Sequence, residues 1–92
     1  MRQRHHFHTD HAGHSVTVTV QTGHTVVVEV LVDGKETGYV TTHGDDPITV
    51  RIELPTDPPQ PAAIRAKPGP GTPGCLFEAP GAEPRPMSPR AY

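Results

Sequence analysis

The sequence predicts an all-β protein, a four-stranded antiparallel meander that forms a small sandwich or an open barrel. Three observations support this. Residues 15–54 alternate β-branched apolar residues with polar ones, turn-forming residues separate the runs, and the separations are too short for parallel crossovers. The chain has 92 residues, of which 33% are hydrophobic, so it holds one small domain at most.

Four runs of residues predict the four strands. Residues 15–21 place valines on one face and threonines on the other, and residues 25–32 are nearly all β-branched. The run 36–43 is weaker, with only two apolar residues. Residues 47–54 alternate cleanly and begin with a proline, which is tolerated at the start of an edge strand.

The turn between the second and third strands decides which residues face each other. Asp33-Gly34 favours a two-residue type I′ turn, which would place His24 opposite His43. A three-residue loop with a bulge would instead bring Val40 onto the apolar face and put the two histidines on opposite faces. The Asp-Gly pair favours the tight turn, and completion of the apolar face favours the bulged one.

Two segments of unusual composition flank the predicted β domain, which spans residues 15–54. Residues 1–14 are rich in histidine and show no strand or helix period, which predicts a flexible arm. Residues 55–92 hold eleven of the twelve prolines and predict an extended or disordered tail. Within that tail, residues 75–77 are the one apolar cluster, and they either dock on the sheet or anchor a partner.

The apolar face of so small a sheet needs a cover. A single cysteine excludes an internal disulfide, so self-association or a metal must supply the missing stability. The four strands could cover this face by folding on themselves, but we favour a homo-oligomer in which copies stack their apolar faces. The predicted interface consists of Val16, Val18, Val20, Val26, Val28, Val30, Ile48, Val50 and Ile52.

The histidines suggest metal binding. Neutral imidazole is a common ligand of Zn, Ni and Cu, and six of the seven histidines lie between positions 5 and 24. The simpler interpretation is a solvated tail, since no fixed ligand spacing is present. The candidate ligands are His5, His6, His8, Asp10, His11 and His14 in the arm, and His24 with His43 at the predicted hairpin rim, where Asp45 or Asp46 could add a third ligand.

Several function classes have no support in the sequence. It holds no nucleophile elbow, phosphate-binding loop, basic run or long apolar segment, so we expect no enzyme, no nucleic-acid partner and no membrane span, and a cytoplasmic location. The predicted function is a non-enzymatic β-sheet interaction module that self-associates and uses its tails for tethering or partner contact. The alternatives are a small metal-binding protein and a structural subunit of a larger assembly.

Overall fold

In the computed structural model the protein is all-β, and its description covers residues 3–44, 46–69 and 71–90. Those ranges contain no helix, and therefore none that could cross a membrane. The strands are β1 (Gln3–His11), β2 (His14–Thr22), β3 (Val26–Val32), β4 (Lys35–Thr42), β5 (Ile48–Leu54), β6 (Gln60–Lys67), β7 (Gly74–Glu78), β8 (Arg85–Pro86) and β9 (Ser88–Arg90).

The strands form two antiparallel sheets. The first has five strands in the order β4-β3-β2-β1-β9, and the second has four in the order β5-β6-β7-β8. The predicted all-β antiparallel class is confirmed. The predicted four-stranded meander is too small, because strands from both flanking segments join the two sheets.

The turn at Asp33-Gly34 is tight, as predicted. Both residues have positive φ, 51° and 85°, which a type I′ turn requires. The register, however, shifts between Val30 and Leu31, because β4 contains one extra residue there. Beyond this bulge Val28 faces Val40, so neither predicted register describes the whole hairpin.

The predicted flexible arm was wrong, since most of it is strand β1. This strand pairs with β2 along its whole length, from Gln3 opposite Thr22 to His11 opposite His14. Phe7 is its one buried apolar side chain. The alternation was hidden because the other residues on the Phe7 side are polar, two of them histidines.

The predicted disordered tail was also wrong, since residues 60–67 and 74–78 form two strands of the second sheet. In β6 the inward positions carry Ala62, Ile64 and Ala66, which are small or branched apolar residues. Pro61 is accommodated because β7 begins to pair with β6 only at Ala63, so this part of β6 has β5 alone as a neighbour.

The end of the chain passes from one sheet to the other. β8 pairs with β7, and β9 pairs with β1. Met87 lies between them, is buried, and donates its backbone N–H to the carbonyl of Cys75 at 3.0 Å. The two sheets are therefore linked by a short crossover on this side of the molecule.

The two sheets share one hydrophobic core, which corrects the predicted interface. Eight of the nine predicted interface residues are buried within the single chain, and Ile48 packs against the same core. The two sheets of the one chain cover each other's apolar faces, and Phe7 of β1 lies in the same core. The buried core residues are Phe7, Val16, Val18, Val20, Val26, Val28, Val30, Val32, Val50, Ile52, Leu54, Ala62, Ile64, Ala66, Cys75, Phe77 and Met87.

Candidate functional site

The side of the five-stranded sheet that faces away from the core is here called the outer face. It carries histidine, threonine, glutamate and tyrosine side chains. Strand alternation puts His6, Thr19, Glu29 and Tyr39 in one row across four strands. Glu29 and Tyr39 are direct cross-strand neighbours. The outer face is therefore polar, with one large aromatic ring at its β4 end.

This row lies in a shallow depression of about 610 Å³ on the outer face. On one side of it the guanidinium Nε of Arg4 donates to the side-chain oxygen of Gln21 at 3.1 Å. Acid, base and amide groups thus surround an open surface rather than an enclosed cavity. The lining residues are Arg4, His6, Thr19, Gln21, Thr25, Val27, Glu29, Tyr39 and Thr41.

Two carboxyl groups interact on the outer face. The pKa of Glu29 is raised chiefly by a hydrogen bond with the Glu36 side chain, then by burial and by the charge of Glu36, while Arg4 acts against the shift. The protonated form of Glu29 is favoured in the fold. Its contribution to stability is therefore greatest at low pH and is lost as the pH rises through this raised pKa.

The histidines of β1 do not act as one ligand set, because they alternate between the two faces of the strand. On the outer face, His6 Nδ1 lies 3.1 Å from Thr19 Oγ1 and His8 Nδ1 lies 3.3 Å from Thr17 Oγ1. The other ring nitrogen of His8 lies 3.1 Å from Asp10 Oδ1. These outer rings are thus held by cross-strand hydroxyls and a nearby carboxylate.

The remaining β1 histidines lie on the Phe7 side of the strand. His5 Nε2 is buried without a hydrogen-bond partner, and the His11 ring centroid lies 5.0 Å from that of Phe77. No group of three or more histidine, cysteine, aspartate or glutamate side chains placed to hold a metal occurs in the part of the chain that the structure describes. The candidate ligands of β1 are therefore divided between its two faces.

His14 has a structural partner instead. Its Nδ1 donates to one carboxylate oxygen of Asp33 at 2.6 Å, and the other oxygen accepts the backbone N–H of Ser15 at 2.9 Å. The backbone N–H of Asp33 in turn donates to the Ser15 carbonyl at 2.8 Å. These contacts tie the β3–β4 turn to the start of β2.

Replacement of Asp33 by Asn is expected to lower the melting temperature at pH 6 but to matter little in strong acid. The bonds from Ser15 and then His14 lower the Asp33 pKa from its ordinary 3.8. The stabilisation is thus complete above that value and is lost as the pH falls through the lower folded pKa. Asn tolerates the positive φ at this position, so the charge is the main change.

The test of this prediction is thermal unfolding of both proteins from pH 6 down into acid below the lowered folded pKa, where the carboxylate is protonated in both the folded and the unfolded state. The two melting curves should converge in acid. A difference in melting temperature that is constant across the range would contradict the account, since it would reflect packing rather than charge.

His24 and His43 are brought together despite the shifted register. His24 lies just before β3 begins and His43 directly follows the end of β4. Their ring centroids lie 6.3 Å apart with the rings nearly perpendicular, at 78°. Both residues are exposed. Of the two carboxylates considered as a third ligand, Asp45 lies outside the described residues and Asp46 is exposed.

Strand β4 forms one edge of the five-stranded sheet. Within the described residues it has a hydrogen-bonded neighbour, β3, on one side only. Its last five residues, 38–42, contain no charge and no proline. Tyr39 in this segment is 58% exposed and is the single exposed large hydrophobic residue in the described part of the chain.

Cys75 is not available for cross-linking copies. Its side chain is buried in the core, and burial raises the pKa of the thiol to about 12. A thiol with so high a pKa holds almost no thiolate at neutral pH, and the thiolate is the reactive form.

Sequence reasoning found the histidine pair but missed the edge formed by β4. Tyr39 is exposed because the bulge reverses the faces of the residues after Thr37. The one sequence signal for a bulge was that it would place Val40 on the apolar face. Comparison with protein-family models, curated proteins and solved structures found no match for this chain.

Proposed function

We propose that this protein is a non-enzymatic assembly module that self-associates by pairing the free edge of β4 with the same edge of a second copy. The observation that carries the proposal is the segment 38–42, an uncharged, proline-free edge with the exposed Tyr39. Unpaired strand edges are templates for pairing with another chain. This route replaces the stacking of apolar faces, because those faces are already covered.

The other edges in the described structure are guarded against pairing. The outward positions of β5 carry the charged, exposed Arg51 and Glu53. β8 and β9 are only two and three residues long and contain Pro86 and Pro89. Charges, prolines and short length are the usual devices that blunt an edge, so the contrast with β4 supports a docking role for β4.

The segment is also complementary to itself. If two copies pair antiparallel about Val40, then Tyr39 of each copy faces Thr41 of the other on the outer face. Aromatic and β-branched residues are favourable cross-strand pairs, worth about 0.2–1 kcal/mol each. A second copy is thus the partner that fits this edge best, since the twofold symmetry of the dimer forms the Tyr39–Thr41 pair twice. The paired sheets would form one continuous sheet across the dimer.

Replacement of Tyr39 by Lys is expected to weaken the dimer at least tenfold, or about 1.4 kcal/mol. The substitution acts twice across the twofold axis and places charges in the pairing segment. Tyr39 is exposed in the single chain, so the substitution should have little effect on the fold of the monomer. Sedimentation velocity over a range of concentrations measures the dissociation constant, and Thr41→Lys is expected to behave in the same way.

The matched control is Thr49→Lys, which adds the same charge at an exposed position of the other long edge strand, β5. It should leave the dissociation constant unchanged. Equal weakening by Thr49→Lys would point to a general charge effect. A monomer at every concentration, or a dimer indifferent to Tyr39→Lys and Thr41→Lys, would overturn the proposal.

A further inference from the structure

We propose that His24 and His43 form a two-histidine binding site for a divalent transition-metal ion, with Cu(II) bound most tightly. The two rings stand side by side where β3 begins and β4 ends, on segments far apart in sequence but joined by the hairpin. Imidazole suits Zn, Ni and Cu, and Cu(II) is highest in the usual affinity order. This inference is independent of the proposed pairing of β4.

The ring separation is within reach of a shared ion. A metal about 2.0–2.1 Å from one nitrogen lies about 3.2 Å from the centroid of that ring, so two rings sharing it are at most about 6.4 Å apart. The observed centroid separation is 6.3 Å. Ligands at a tetrahedral angle need a centroid separation of about 5.2 Å, and cis ligands at 90° in a tetragonal Cu(II) site need about 4.5 Å. Both side chains are exposed and can rotate to reach these separations.

This pair differs from the other histidines in its surroundings. His8 and His14 each have a ring nitrogen at a carboxylate oxygen, at 3.1 and 2.6 Å. His11 packs on Phe77. For the imidazole rings of His24 and His43 the recorded contact is the one between the two rings, so an ion at the ring nitrogens displaces no hydrogen bond that the structure records.

The arrangement supplies two protein ligands and leaves the other coordination positions to water. Once the ion is bound to one histidine, the second histidine is held close by on the neighbouring strand. Its high effective concentration raises the affinity for the ion well above that of a single imidazole. The ion would also bridge the open end of the β3–β4 hairpin. Because ligating imidazoles must be neutral, binding should weaken in acid.

The experiment is nuclear magnetic resonance of the full chain with a small amount of Cu(II), whose unpaired electron broadens nearby signals. Broadening should appear first at His24, His43 and their chain neighbours. Cu(II) titration of His24→Ala and His43→Ala should show roughly 100-fold weaker binding at this site. His14→Ala is the matched control, and it should leave the affinity unchanged.

Two outcomes would overturn the proposal. One is broadening that begins at His6 and His8, on the outer face of β1, and leaves the His24 signals sharp. The other is unchanged binding in His24→Ala. An unaltered spectrum away from position 24 shows that this variant is folded, so a loss of binding can be assigned to the missing ligand.

Discussion

A chain that ends at Leu54 is expected to lose cooperative folding. It would retain the whole of the β domain that the sequence predicts, yet β5 would lose β6, its one hydrogen-bonded neighbour in the described structure. The core would lose two fully buried large side chains, Ile64 and Phe77. Each is worth about 1.5–3 kcal/mol, against a total stability of about 5–15 kcal/mol for a typical domain.

Urea unfolding followed by far-ultraviolet circular dichroism measures this loss. The shortened chain should show a broad, featureless change where the full chain shows a sigmoidal transition. A cooperative transition in the shortened chain would mean that residues 15–54 fold without the second sheet, as the sequence alone predicted.

A point substitution tests the same claim without shortening the chain. Phe77→Ala is expected to lower the free energy of unfolding by about 3–5 kcal/mol, because the ring is buried and a cavity would replace it. Leu76→Ala, one position away on β7, is the control. Leu76 is half-buried and faces away from the core, so its loss should cost much less.

Gly38→Ala is expected to destabilise the fold by about 1–3 kcal/mol, the usual cost of overpacking. A β-carbon built at Gly38 would lie 2.6 Å from Val50 Cγ1, across the gap between the two sheets. The backbone at Gly38 does not have positive φ, so space alone excludes a side chain. The direction of the change in stability is informative, because Gly→Ala at an unstrained site with open space stabilises a protein by about 0.4–1 kcal/mol.

Two further variants isolate this contact. Gly74→Ala lies in β7, where an added β-carbon would meet nothing within 4 Å, so it should be neutral or stabilising. Val50→Ala removes the obstructing methyl group. In urea unfolding, Gly38→Ala should therefore cost less in the Val50→Ala background than in the native chain. Equal costs in both backgrounds would show that β4 and β5 do not approach as described.

The valine-rich part of the fold could be predicted from sequence. Strict alternation in β2, β3 and β5 indicates the strands, and Asp33-Gly34 indicates the tight turn between β3 and β4. These signals are local, since each depends on residues within one strand or one turn. The bulge in β4 could not be predicted from the local sequence, because it places Gly38 against Val50 of the other sheet, a contact between distant parts of the chain.

The flanking strands were missed for a different reason. In β1 the inward side holds His5, Thr9 and His11 around Phe7, so the strand has little hydrophobic signal of its own. In β6 a proline near the start obscured the alternation that follows. Each strand pairs with a consecutive strand that carries the stronger pattern, β1 with β2 and β6 with β5. The composition of β1 or β6 taken alone does not reveal this pairing.

The candidate sites also divide into those that local sequence predicts and those that it does not. The closeness of His24 and His43 was predicted, although from a register that holds only beside the turn. The N-terminal histidines were grouped because they are close in sequence, whereas a strand sends neighbours to opposite faces. Prediction of the exposed edge at Tyr39 requires knowledge of the order of strands in the sheet, and no single segment of the sequence contains that order.

The pairing of β4 with a second copy is tested most directly by an isotope-filtered nuclear Overhauser measurement. In a mixture of labelled and unlabelled chains, the filter retains contacts between copies only. Self-pairing predicts contacts from the Tyr39 ring of one copy to the Thr41 methyl group of the other, and between the two Val40 side chains. Contacts between copies that involve other surfaces, with none along β4, would contradict it.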